Sequence, residues 1–233
     1  MLVASFADLA TQLFGSDDLT DVLPRILKFT VDMVAGCDWA SVTLWRHGQV
    51  VDTLSHGTVA AELDDIQFAF GIGPGPDALR NAGKVYVPDL AEASWWPVLA
   101  ATAADLGATS ALCHGLFVHH PAQWSAVGTL NLYGGTPDAF SDTDQEFATI
   151  LTAYVAVAVA ASYRRDEIDR REAALHRSLS TRDVIGQAKG ILMERQRLSA
   201  GEAFDVLRRA SQRLNRKVAD VARRLTETGE LPT

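Results

Sequence analysis

Residues 180–225 read STRDVIGQAKGILMERQRLSAGEAFDVLRRASQRLNRKVADVARRL, and their spacing predicts three short helices around one small core. Ser180-Thr-Arg-Asp183 and Ser199-Ala-Gly-Glu202 each have the form of a capping box, in which a hydroxyl and an acid three residues on satisfy free amides at a helix start. Each is followed by a periodic apolar set. The first helix gathers Val184, Ile185, Ala188, Ile191 and Leu192 on one side, and the second Ala203, Phe204, Leu207, Ala210 and Leu214. Asn215 is the expected N-cap of a third helix that turns Val218, Val221, Ala222 and Leu225 inward.

The outward sides carry Gln187, Lys189, Arg195, Arg208, Arg209, Ser211, Gln212, Asn215, Arg216 and Lys217. Arginine and lysine neutralise phosphates, and short amide and hydroxyl side chains bond to base edges or 2′-hydroxyls. No aromatic side chain is assigned to that surface, which argues against a general single-strand binder built on stacking. From Arg164 to the end there are 16 basic and 11 acidic residues, a net +5; the preceding 163 residues hold 5 and 18, a net −13. Such asymmetry fits a polyanion-binding end on an acidic body, and equally a solvated helical surface.

At 233 residues, 48% hydrophobic and 21% charged, the chain has the composition of one large or two small globular domains. No stretch of about 18 uncharged apolar residues flanked for membrane spanning is read, and the first residues lack a basic leader region. Two cysteines, Cys37 and Cys113, make no disulfide framework, so a cytoplasmic location is expected.

The acidic body has a different pattern. Residues 2–14 and 21–34 have helical periods, the second with Thr20 as expected N-cap and Pro24 in its first turn. Residues 39–45 and 50–55 form a hairpin about His47-Gly48. The run Gly71-Ile-Gly-Pro-Gly-Pro76 is expected to be a rigid irregular loop. A short helical turn over 77–81, a strand over 84–88, a helix over 98–106 between Pro97 and Gly107, and strands over 110–119 and 125–133 complete an α+β plan with an antiparallel sheet.

Ser141 and Asp144 cap the start of a further helix, after which no Gly or Pro occurs before Gly186. Positions 147, 151, 154, 158, 161, 165, 168, 172, 175 and 179 step by four and three, and all but Arg165 and Glu172 are apolar, as a coiled-coil seam requires. A parallel homodimer through residues 141–177 is expected, with packing on the chain's own sheet also open for residues 147–161. At about 1.5 Å per residue this helix would reach roughly 55 Å.

Two resemblances follow from these words. The run LDDIQFAFGIGPGPDALRNAGKVYVPDLAEASWWP, with GTLNLYGG further on, resembles a GAF domain over residues 19–160. That family implies a six-stranded antiparallel sheet with helices on one face, used for small-ligand sensing and dimerisation. Trp45, Phe68, Phe70, Trp95 and Trp96 are the candidate pocket walls, with a structural core as the plainer reading of so many aromatics. IGQAKGILMER and EAFDVLRRASQRLNRKVADVA resemble the ANTAR domain over residues 178–228. That resemblance implies a dimer-dependent, RNA-binding antiterminator that stabilises tandem RNA hairpins in leader transcripts. It marks Gln187, Lys189, Arg195, Ser211, Gln212 and Asn215 as RNA contacts, with Ala188, Ala203 and Ala210 in small core positions. The division expected is a sensor over residues 1–140, a connecting helix over 141–177 and an RNA-binding domain over 178–233.

Other chemistry finds less support. Cys113-His114 and His119-His120 are adjacent pairs on strands, where neighbours point to opposite faces, so no three-ligand metal set is assembled. No haem, nucleotide-loop or catalytic signature appears, and no cofactor or enzymatic activity is expected. The alternatives for the basic end are a ligand-regulated DNA-binding transcription factor and a protein-docking module.

Overall fold

The computed structural model describes residues 18–232, apart from residues 82, 121 and 122. The helix expected over residues 2–14 lies outside the described residues. The chain divides into two compact units, one ending at Arg164 and one beginning at Arg165.

In the first unit, α1 (Leu19–Met33) is capped by Asp18, which accepts from the Thr20 amide, so the cap lies two residues before the expected Thr20. The hairpin forms as expected: β1 (Trp39–Arg46) and β2 (Gln49–His56) are joined by His47 and Gly48, both at positive φ. A two-residue turn with that geometry matches the twist of the strands it joins. The sequence reading assigned no helix to the next segment, yet α2 (Thr58–Phe70) forms there. Helix α3 (Pro74–Arg80) then begins inside the stretch expected to be irregular. Prolines 74 and 76 fall in its first turn, where amide hydrogens have no helical partner to lose, so only Gly71–Gly73 remains a loop. Strand β3 (Lys84–Val87), helix α4 (Pro97–Leu106), β4 (Ser110–His120) and β5 (Gln123–Gly134) follow.

The sheet has order β2-β1-β5-β4-β3 and is antiparallel throughout. It has five strands among the described residues, where the resemblance implied six. It is also covered on both faces rather than one. Strand alternation sends Ala40, Val42, Leu44, Leu112, Leu116, Leu130 and Leu132 to an apolar face, packed with α1 and the first part of the long helix α5 (Asp142–Gln196). The opposite face carries Ala111 and Tyr133 beneath α2 and α4, together with a set of polar residues.

Ser141 and Asp144 bond reciprocally at the start of α5, as expected. That helix then runs 55 residues without a break, so Ser180 and Asp183 lie inside it rather than at a cap. Phe147 and Leu151, the first two positions of the proposed seam, are buried against the sheet. One 18-residue window of α5 has mean hydropathy 1.5, long and apolar enough by length and composition alone to cross a membrane, a test that the core helix of a globular unit also passes; a third of that window is buried in the fold.

In the second unit the C-terminal part of α5 packs with α6 (Ala200–Leu214) and α7 (Val218–Thr228). Their core is Ala188, Leu192, Ala203, Leu207, Ala210, Val221, Ala222 and Leu225. The Ser199–Glu202 capping box at the start of α6 is complete in both directions. Asn215 is not the N-cap of α7. It closes α6 in the left-handed conformation, φ 50°, and Lys217 stands at the N-cap instead. A short amide side chain tolerates that conformation better than most, which explains Asn215 as a helix stop.

Candidate nucleic-acid interface and sensor site

Helix α6 turns Ala203, Leu207 and Ala210 to the core, so its opposite side exposes Arg208, Arg209 and Gln212. Arg208 is drawn to Asp205 one turn back, at 2.9 Å between exposed groups, which leaves it free to exchange partners. Asn215, Arg216 and Lys217 continue this exposed surface into the turn before α7. Arg209 and Arg213 border a shallow groove with Val206, Ala210 and Leu231. Phe204, assigned inward from its spacing, is 39% exposed and adds an aromatic side chain to this unit's surface.

Two other sequence-marked residues have structural partners, and a third lines a groove. Ser211 donates to the Arg216 carbonyl and clasps the α6–α7 turn. Arg195 donates to the carbonyl of Gly229, the left-handed residue that ends α7. Gln187 lines an open groove of about 510 Å³ with Gly190, Ile191, Glu194, Arg195 and Thr226. Lys189 lies two residues from Gln187, about 200° around the helix, so the two cannot serve one contact face. The ten marked residues therefore form an α6-and-turn surface and a separate groove wall, with Lys189 on another flank. Nothing in the fold occupies the space a Cβ on Gly190 would take.

In the first unit the five aromatic residues do not form one cage. Trp45 and Phe68 pair at 6.5 Å between ring centroids, and Trp95 and Trp96 pair edge to face at 5.7 Å. Trp96 is buried in the core while Trp95 is 68% exposed, and Phe70 is 66% exposed at the end of α2.

The chemistry on that face centres on Asp64, which the sequence reading did not single out. Its carboxylate is 1% exposed. It accepts from Ser41 Oγ at 2.6 Å, Thr43 Oγ1 at 2.9 Å, Asn131 Nδ2 at 3.0 Å and the Tyr133 hydroxyl. Gln67, one turn on, donates from Nε2 to the Tyr133 hydroxyl and accepts the Gly75 amide at 2.9 Å, tying α2 to the sheet and to the start of α3. Gly73 sits at φ 116° against the Gln67 side chain, where any Cβ would clash. Burial raises the Asp64 carboxyl above the ordinary carboxylate range, against the lowering effect of its four donors. The signal for this site was present: Ala60, Leu63, Asp64 and Gln67 share one helical face, so two polar residues stand in the register of a core.

Profiles of known families match both units. The GAF domain profile covers residues 16–160 and the ANTAR domain profile residues 173–225. The chain belongs to the GAF–ANTAR family.

No curated protein matches the chain. Solved structures share the fold of the GAF unit at low identity. The structure of fRMsr of Staphylococcus aureus in complex with substrate is 13% identical with TM-score 0.50, covering 66% of this chain and 95% of that one. The N-acylhomoserine lactone dependent LuxR family transcription factor CepR2 of Burkholderia cenocepacia is 17% identical with TM-score 0.50, covering 69% and 93%. The GAF domain of a two-component sensor histidine kinase from Bacillus halodurans is 13% identical with TM-score 0.47, covering 65% and 99%. These likenesses concern the fold alone. A GAF unit joined to an ANTAR unit makes this chain a signal-sensing regulator.

The apolar face of the GAF sheet also holds His114. Thr149 donates its proton to the Gln145 carbonyl at 2.8 Å, so its oxygen accepts from His114 Nε2 at 3.2 Å. This selects the Nε2–H tautomer and leaves His114 Nδ1 buried without a partner. Desolvation, with the nearby Lys84 charge second, lowers the His114 pKa to about 4. Cys113 points to the opposite face, beside Asp64, where burial pushes its thiol well up.

Proposed function

We propose that this GAF–ANTAR protein is a signal-responsive transcription antiterminator. The ANTAR unit grips paired RNA hairpins in leader transcripts and thereby prevents an overlapping terminator from forming. The GAF unit binds a small ligand that sets the activity of the pair. The observation that carries this reading is the exposed surface of Arg208, Arg209, Gln212, Arg216 and Lys217, which joins cations for phosphates to an amide for bases on a three-helix ANTAR core.

The protein acts as a cytoplasmic homodimer without catalytic activity. The pairing stripe is the half of the seam that the fold leaves uncovered in the second unit: Ile168, Leu175 and Leu179 are 60%, 61% and 47% exposed at heptad spacing. Two ANTAR units on one dimer gain effective concentration on two linked hairpins, so a modest change in their presentation alters avidity strongly.

A gel-shift titration of the full chain tests this. A two-hairpin leader RNA should bind much more tightly than either hairpin alone, with affinity falling steeply as salt rises. Equal affinity for duplex DNA or unstructured RNA would transfer the reading to a DNA-binding factor or a docking module.

A further inference from the structure

Among the described residues, no Lys or Arg side chain is buried in the layer between the GAF sheet and α2. Asp64, when ionised, offers only acceptors, and among the described residues no ion pair involves it. Two more lone-pair-bearing atoms there, Asn131 Oδ1 and Thr129 Oγ1, are buried without any partner. A buried carboxylate is retained at low cost only where charge or donors compensate it. Here four neutral groups fill the acceptor positions of the carboxylate but supply no positive charge, and the two idle oxygens stand on the same strand, β5, in the same facing register.

One wall of this layer is aromatic. Phe68 lies one helical turn from Asp64 on α2 and pairs with Trp45 of β1, two residues beyond Thr43. Acceptors with a carboxylate on one side and aromatic faces on the other are the usual surroundings of a protonated amine. The acidic body, net −13 over residues 1–163, would also concentrate cations and repel anions. Access has a mechanical route. Helix α2 is bounded by Gly57 at φ 93° and Gly71 at φ 64°, and its N-cap makes no side-chain bond. Its polar hold on the sheet consists of hydrogen bonds that a ligand or water can replace. Small-residue termini of this kind absorb the backbone rotation of a closing element.

We propose that the GAF unit recognises a small molecule bearing a protonated primary amine on an apolar body, its ammonium bound to Asp64 with Asn131 and Thr129, and its body against Trp45 and Phe68. The proposal rests on the reading of the GAF unit as a ligand sensor, and it is tested without RNA, so the two stand or fall separately.

The probes are 2-phenylethylammonium, the anion 3-phenylpropionate on the same phenylethyl body and its neutral isostere 3-phenylpropanamide, each titrated into the full chain at constant ionic strength. Tryptophan fluorescence and melting temperature are read together; all five tryptophans lie outside the ANTAR unit. The ammonium probe should give a saturable fluorescence change and raise the melting temperature, while the anion does neither. Asp64→Asn should weaken its binding at least tenfold. Thr129→Val keeps the side-chain volume and removes a hydroxyl that bonds to nothing, so it should fold normally and bind several-fold more weakly. Saturable binding of the anion or the neutral amide as tight as that of the ammonium overturns the proposal. So does the absence of saturable ammonium binding, or unchanged ammonium affinity in a folded Thr129→Val protein.

Discussion

Asn131 on β5 holds its Nδ2 3.0 Å from one carboxylate oxygen of Asp64 on α2 and 3.1 Å from the other. This bond spans 67 residues of sequence and fastens a helix to the middle of the sheet. It replaces the leucine-on-leucine contact found on the sheet's other face. The first prediction follows directly. Asp64→Ala removes the shared acceptor of Ser41, Thr43, Asn131 and Tyr133 and strands four buried donors. It should destabilise the GAF unit by about 3 kcal/mol or more, given about 1–3 kcal/mol for each buried group left unsatisfied. Denaturant unfolding followed by tryptophan fluorescence measures this.

The same residue sets a pH dependence. Its folded pKa is raised above the ordinary 3.8, so the folded protein holds this proton more firmly than the unfolded chain. The Asp64 contribution is therefore most favourable at acid pH. It is lost as pH rises from 3.8 through the raised folded value. In Asp64→Asn that decline should be absent, so the stability difference between variant and wild type should change with pH across the window. A constant offset would show that the carboxyl is not held as described.

His114 predicts the opposite slope. Its pKa is lowered from 6.5 to about 4, so the unfolded chain takes up the proton first. Stability should fall as pH drops from about 6.5 toward 4, by up to about 3 kcal/mol at 1.36 kcal/mol per unit. The imidazole resonance of His114 should titrate near 4 by NMR, and His114→Gln should flatten this limb.

Gly190 lies in the interior of α5, with nothing within 4 Å of the position a Cβ would take. Gly190→Ala should therefore stabilise the ANTAR helix by about 0.5–1 kcal/mol. It also adds a methyl to the wall of the groove shared with Gln187 and Arg195. Tighter folding with weaker RNA binding would place RNA or another backbone close to this helix. Unchanged binding would remove that role.

Arg208→Ala and Gln212→Ala separate charge from reading. Loss of Arg208 should weaken all RNA by a similar factor and lower the salt slope of log K by about 1. Loss of Gln212 should act mainly on the matched hairpin and leave the salt slope unchanged. Leu175→Asp should shift the protein toward monomer in sedimentation velocity without changing its far-UV circular dichroism by more than a few per cent.

Residues whose partners are near in sequence were legible. Ser141 with Asp144 and Ser199 with Glu202 cap their helices over three residues, and His47-Gly48 turns the hairpin in two. Misreadings came where a local signal had two meanings. Two prolines within a glycine-rich run look like a loop, yet both fit the first turn of α3. Ser180 and Asp183 have capping-box spacing, yet intact periodicity on either side carries α5 through them. Asn215 suits a helix start and a left-handed stop equally, and the turn clasped by Ser211 selects the stop.

By itself the sequence determined an acidic α+β GAF body, a long helix and a basic three-helix ANTAR end. Caps, periodicity and family wording are all expressed within a few residues or along one uninterrupted motif. Only the tertiary structure decided that α2 lays Asp64 and Gln67 on the sheet and that Phe147 and Leu151 belong to the chain's own core. It also decided that Arg195 is bound to a helix end. The Tyr133–Asp64 bond joins residues 69 apart. Strand register creates such neighbours: one step along β5 would turn Asn131 and Tyr133 to the opposite face and dissolve the site.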